Sequence, residues 1–128
     1  MTTDGSFDAS AASTTLRRPP RTRVGYTRAF RLGDTGGTLT TGVGREGELG
    51  QIILRIGDHG STLAGMTDAF STAASLALQH GAPLAEIAEH LRGTRFEPAG
   101  QTDDPEITEA TSLMDYTGRR LIADFPTA

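Results

Sequence analysis

The sequence predicts an α+β domain, with a three-stranded antiparallel meander followed by three helices packed on one face (βββααα). Two observations carry this. Three consecutive segments between residues 24 and 56 alternate apolar and polar residues with a period of two, and short Gly-rich turns separate them. Beyond residue 60 the apolar residues recur at spacings of three and four, punctuated by Gly and Pro.

Residues 1–22 are rich in Ser, Thr, Ala and Asp, then the chain turns basic at Arg17, Arg18, Arg21 and Arg23 around Pro19-Pro20. Such a segment cannot bury enough apolar surface to offset the cost of ordering it. It is expected to be a disordered tail, and 23–128 the folded domain. A basic arm that docks on an acidic partner or a phosphate is the alternative for these residues.

The first strand spans Val24 to Leu32, with Val24, Tyr26, Phe30 and Leu32 on one parity. The second runs from Thr38 to Val43 and the third from Leu49 to Ile56, carrying Ile52, Leu54 and Ile56. Gly33-Asp34-Thr35-Gly36-Gly37 and Gly44-Arg45-Glu46-Gly47-Glu48 join them as hairpin turns. The first of these lacks the spacing and the lysine of a phosphate loop, and a strand follows it where a helix should.

Ser61 is the expected N-cap of the first helix, whose stripe is Leu63, Met66, Phe70, Ala73, Ala74, Ala77 and Leu78. The alanines and Thr67, Ser71, Thr72 and Ser75 permit close approach to a sheet or another helix, and Gly81 closes the helix. Pro83 opens a second helix with Leu84, Ile87, Ala88 and Leu91 on one side and Gly93 as its stop. Thr94 to Asp103 is expected to be a loop. Asp104-Pro105-Glu106 reads as the cap and first turn of a third helix, with Ile107, Ala110, Met114, Thr117 and Leu121 as its stripe.

Composition excludes several function classes. The 128 residues contain no cysteine, which removes disulfides, thiolate metal sites, thiol nucleophiles and thiyl radicals from these residues. The three histidines, at 59, 80 and 90, form no metal-binding pair at helical spacing, and no metal site is expected. No apolar run approaches the ~20 residues that span a bilayer, and no signal-peptide pattern opens the chain, so a cytoplasmic protein is expected. A net charge of −4 argues against nucleic acid as the main partner.

Two stretches are candidate sites. Gly57-Asp58-His59-Gly60-Ser61 leads from a strand into a helix N-terminus, where backbone N–H groups around Gly60 and Ser61 can hold an anion. The structural alternative is a tight turn capped by Ser61. Thr94-Arg95-Phe96-Glu97-Pro98-Ala99-Gly100 mixes charge, an aromatic and turn residues. There Thr94, Arg95, Glu97 and Gly100 form a candidate interaction or ligand surface, with Phe96 anchoring the loop inward. The alternative is that Arg95 and Glu97 only satisfy each other. No catalytic residue presents itself.

Five groups of residues together resemble a known family. They are Gly60-Ser61-Thr62-Leu63 with Met66-Thr67-Asp68-Ala69-Phe70; Ser75-Leu76-Ala77-Leu78-Gln79-His80-Gly81-Ala82-Pro83-Leu84; Thr94 to Gly100; Pro105-Glu106-Ile107; and Ala110-Thr111-Ser112-Leu113-Met114-Asp115-Tyr116. In order and spacing they are similar to the C-terminal (TSCPD) domain of adenosylcobalamin-dependent, class II ribonucleotide reductases, over Arg28 to Phe125. At Gly118, Arg119 and Arg120 the family is more aromatic and apolar. The resemblance implies that the radical cysteine, the reductant cysteines and the cobalamin and nucleotide sites lie in a large barrel outside this region. It therefore implies no catalytic residue and no bound cofactor here, adenosylcobalamin belonging to a partner reductase. The implied role is an accessory, regulatory or subunit domain acting through protein–protein contact, with a class II reductase large chain or a homo-oligomer as partner. A nucleotide- or anion-binding domain using Arg95 and the turn before Ser61 is the alternative.

Overall fold

The computed structural model describes residues 21, 24–44, 46–57 and 61–126. Apart from Arg21, the expected tail lies outside the described residues, as do Asp58, His59 and Gly60. The elements in order are β1 (Val24–Leu32), β2 (Thr35–Val43), β3 (Leu49–Ile56), α1 (Thr62–Gln79), α2 (Leu84–Leu91), β4 (Gly100–Gln101), β5 (Glu109–Ala110) and α3 (Leu113–Asp124). The expected βββααα order holds, with a two-stranded ladder, β4–β5, added before the last helix.

The sheet runs β1-β2-β3, antiparallel throughout. β2 starts three residues earlier than its alternation suggests, because Gly33-Asp34 alone makes the turn and Leu32 pairs directly with Thr35. Gly33 supplies the left-handed backbone (φ 59°) that such two-residue hairpins need. Gly37 is also required: a Cβ there would lie 2.6 Å from the Arg55 carbonyl oxygen. One face of the sheet presents Phe30, Leu32, Leu39, Ile52, Leu54 and Ile56 to the core. Val24 and Tyr26 share that parity but are 58% and 62% exposed. The first half of β1 runs beyond the helices, so alternation alone overstates what it buries.

α1 packs against β3. Ser61 caps it as expected, its Oγ accepting the Ala64 N–H at 3.0 Å. Its buried stripe is Thr67, Ser71, Ala74 and Leu78, whereas Met66 and Ala73 face outward. The stripe is rotated toward small and hydroxyl residues because the helix seals a strand edge. The Ser71 Oγ accepts the Leu54 N–H at 2.8 Å and the Ser75 Oγ accepts the Ile52 N–H at 2.9 Å. The Ser75 hydroxyl donates to the Ile52 carbonyl at 3.0 Å and the Gln79 amide to the Gly50 carbonyl at 3.1 Å. Three side chains at four-residue spacing thus stand where a neighbouring strand would bond.

The third helix begins eight residues later than Asp104-Pro105-Glu106 suggests, with Ser112 in place of Asp104 as its cap. Asp-Pro opens a turn as readily as a helix, and here the Asp104 Oδ1 accepts the Glu106 N–H at 3.0 Å, closing an Asx turn. The turn is the tip of the β4–β5 arm, and α3 starts at Leu113 with Ser112 as its N-cap, the Oγ accepting the Asp115 N–H at 2.9 Å. Freed from capping, Asp104 enters the core. It accepts the Tyr116 hydroxyl at 2.8 Å and pairs with the Arg120 Nη1 at 3.0 Å. Arg120 also reaches Asp124 and Glu106, both at 2.9 Å. Burial by itself would raise the Asp104 pKa. The donors from Glu106, Tyr116 and Arg120 outweigh it and hold the carboxyl below its ordinary value.

Tyr116 stacks on Phe30 with ring centroids 4.8 Å apart, tying α3 to the sheet. Gly118 lets α3 meet α2 closely: a Cβ there would lie 2.9 Å from both the Ala88 carbonyl oxygen and the Leu91 Cβ. Larger residues at 118 would need a different helix spacing, and Arg120 suits its place only because three carboxylates surround it.

Candidate functional site

The segment from Gly93 to Gly100 joins α2 to β4 and lies against the start of α3. Thr94 is its anchor. The Thr94 hydroxyl donates to the Leu91 carbonyl at 2.8 Å, so the 2.7 Å contact between Thr94 Oγ1 and Ser112 Oγ is donated by Ser112. The Thr111 hydroxyl donates to the Thr94 carbonyl at 2.8 Å, and the Phe96 N–H donates to the Thr111 carbonyl at 3.2 Å. The expected anchor, Phe96, is 42% exposed and does not enter the core. Main-chain and hydroxyl bonds fix the loop, which leaves the aromatic ring outside.

Asp115 is the second organiser. Its Oδ1 accepts the Gly93 N–H at 2.8 Å, and its Oδ2 accepts the Thr111 N–H at 3.0 Å and the Arg119 Nη1 at 3.1 Å. Burial alone would raise its pKa. The two backbone donors and Arg119 outweigh that, so the carboxyl sits below its ordinary value and is charged at neutral pH. Arg119 also donates through Nη1 to the Glu109 carbonyl at 2.9 Å.

These contacts place Arg95, Ala99, Gly100, Glu109, Ala110, Thr111 and Arg119 around one shallow cavity of about 420 Å³. Arg119 spends only Nη1 on the protein. Its Nε and Nη2, the parallel pair that meets a carboxylate or phosphate side-on, have no partner among the described residues. Arg95 is exposed and makes no ion pair with Glu97 or any other described residue. The site can therefore grip an oxyanion with two guanidinium groups, tempered by the Glu109 carboxylate on its rim.

The structure thus gathers Arg95 and Gly100 at the cavity, with Thr94 behind them as a support. Glu97 is exposed and does not line it. Ser61 serves α1 as a cap and does not line it either, and Gly60 lies outside the described residues. Arg119, Glu109 and Asp115 escape a reading by elements, because the expected third helix placed all three within one helix, whereas Glu109 stands on β5. The four-residue step from Asp115 to Arg119 and the Ser112-to-Asp115 spacing of a capping box were the available signals.

Taken together these features define a small α+β module with a shallow cavity lined by two arginines. A family model described as the TSCPD domain matches residues 11–125, and the chain belongs to that family. The match reaches upstream of β1, into the stretch expected to be a tail. The chain is 45% identical over 109 residues to a vitamin B12-dependent ribonucleotide reductase of Streptomyces avermitilis, covering 85% of this chain and 11% of the relative. It is 38% identical over 104 residues to that of Rhodopirellula baltica, covering 81% and 10%, and 36% over 107 residues to that of Agrobacterium fabrum, covering 83% and 8%. The chain therefore spans about a tenth of the length of these curated relatives. No solved structure matches it.

Proposed function

We propose that this chain is an accessory domain of a vitamin B12-dependent ribonucleotide reductase, which docks on the catalytic portion and catalyses nothing alone. The observation that carries this is the similarity of most of the chain to one short part of such reductases. The absence of cysteine from the sequence supports it, since thiyl chemistry cannot start on these residues. The Arg95–Arg119 surface is the docking face, and the working compartment is the cytoplasm. Adenosylcobalamin belongs to the partner. The arginine cavity, with small side chains and no imidazole, suits a small ligand and does not fit a corrin ring. The test is native mass spectrometry of this chain mixed with a reductase large chain that lacks the matching region. A complex that weakens in Arg95→Ala supports the reading, and the absence of any complex overturns it.

The unpartnered Nε and Nη2 of Arg119 favour a second reading, a site for a nucleotide or another small anion. Titration with ADP and with inorganic phosphate, followed by amide NMR shifts, separates the two. Saturable shifts at Arg95 and Gly100 that vanish in Arg119→Ala belong to the second reading.

A further inference from the structure

Along much of its length, the outer edge of β1 is a row of main-chain groups with no partner among the described residues. Leu32 and Thr35 flank a two-residue turn, so even-numbered residues of β1 bond β2 and odd-numbered ones face outward. The far end of the edge shows this parity: the Arg31 N–H donates to Asp103 Oδ1 at 2.8 Å, the Asp103 N–H to the Arg31 carbonyl at 3.3 Å, and the Gly33 N–H to the Gln101 carbonyl at 2.8 Å. Gly25, Thr27 and Ala29 continue the row with no such partner among the described residues. Pairing with β2 is uninterrupted, and Val24–Leu32 contains no Pro and no bulge against β2; Arg28 and Arg31 are its charged residues. Beside it, Val24 and Tyr26 hold out apolar surface.

We propose that this edge is a self-association surface, on which two copies of the chain pair antiparallel through Gly25–Ala29 and join their sheets across a twofold axis. The sequence of the edge is complementary to itself in one register. With Thr27 opposite the partner's Thr27, Gly25 meets the partner's Ala29, and all three outward-facing residues of each copy are used. That makes about six main-chain hydrogen bonds. On the core side the same register sets Tyr26 opposite the partner's Arg28, in the closely spaced, non-hydrogen-bonded position, where an arginine can lie over an aromatic ring. Symmetry repeats that contact. Arg28 is available for it, with a side chain 43% exposed and only a long 3.8 Å contact to Asp124. Shifting the twofold to residue 28 would set two Arg28 side chains against each other, and the Gln101–Asp103 segment blocks pairing further along. An edge this short makes a small interface, so the dimer is a weak one.

The test uses the full chain. Sedimentation velocity should show a monomer–dimer equilibrium that shifts with concentration, and the amides of Gly25, Thr27 and Ala29 should gain exchange protection as the dimer fills. Thr27→Pro removes the central outward N–H from both copies and should raise the dissociation constant about tenfold or more. Tyr26→Lys places like charges opposite each other and should do the same. Tyr26 is exposed in the monomer, so this second variant stays informative if the proline one fails to fold. A chain that remains monomeric up to about 1 mM overturns the proposal. So does a dimer that both variants leave unchanged, or protection of these amides that arises only when a reductase large chain is added.

Discussion

Removing the Asp104 carboxylate should be among the most damaging single changes in the domain. Its side chain is 2% exposed and that of Arg120 3% exposed. In Asp104→Ala the fully buried Tyr116 hydroxyl loses its acceptor, and Arg120 Nη1 loses its partner. Arg120 Nε already lacks a hydrogen bond among the described residues, so only Nη2, on Asp124 and Glu106, would stay engaged. Breaking a buried ion pair from one side costs roughly 3–5 kcal/mol, because the remaining charge is left uncompensated. For a domain of about a hundred residues that lowers the melting temperature by about 12 °C or more. Urea unfolding followed by circular dichroism measures it, with a lower midpoint and an unchanged slope expected. Asp124→Ala is the control, since Asp124 is 35% exposed and Glu106 shares its role, and should cost about 1 kcal/mol or less. Adding Tyr116→Phe to Asp104→Ala removes the stranded hydroxyl, so the double variant should lose less than the sum of the singles. A loss below about 1 kcal/mol for Asp104→Ala would refute the claim that this carboxylate holds α3 to the β4–β5 arm.

Three further outcomes follow from the same contacts. Asp104 and Asp115 have folded pKa values below their ordinary ones, so their stabilisation is present above the unfolded value of about 3.9 and is lost as pH falls through the folded values. Urea midpoints should be flat from about pH 7 to 5 and fall below about pH 4, with a shallower fall in Asp115→Asn. Ser71→Ala strands the Leu54 N–H at the sealed edge and should cost about 1–3 kcal/mol by thermal unfolding, while Thr72→Ala on the exposed side should cost little. Gly118→Ala should destabilise by about 1–3 kcal/mol although alanine favours helix, because its Cβ would press on the Ala88 carbonyl; a higher melting temperature would refute the close α2–α3 approach.

Local pattern determined what was legible in the sequence. The first and third strands, Ser61 as a cap, Gly81 as a stop and the second helix each follow from neighbours in the chain and stand where expected, while β2 is longer and its first turn shorter. Three readings needed contacts from far away. Asp104-Pro105-Glu106 satisfies the rules for a helix start and for a turn alike, and only Tyr116 and Arg120 decide between them. Val24 and Tyr26 alternate correctly, but no helix covers them. Phe96 is apolar, yet hydroxyls already hold its loop in place. At the candidate site, Arg95 and Gly100 stood out by composition. Arg119 did not, because its value lies in which nitrogens remain free once Asp115 and Glu109 have taken Nη1.

The two edges of the sheet are handled by different means, and the difference has consequences. At β3 the groups of Gly50, Ile52 and Leu54 are met by Gln79, Ser75 and Ser71, so α1 serves as the missing neighbour. This requires small hydroxyl residues at four-residue steps and accounts for the rotated stripe of α1. At β1 the described residues meet only the end of the strand, through Gln101 to Asp103, which follow the loop that carries Arg95. That short bridge joins the sheet to the arm bearing Asp104 and Glu109, so one connection supports both the buried ion cluster and the arginine cavity. The remainder of the edge, Gly25 to Ala29, lies beyond its reach. Tyr26 is exposed because no helix covers its face, and the groups of Thr27 lack a partner among the described residues because the bridging segment ends before the strand does. A strand made longer than its cover has a surface to offer, and Tyr26 is the exposed aromatic that an edge-to-edge partner would meet there.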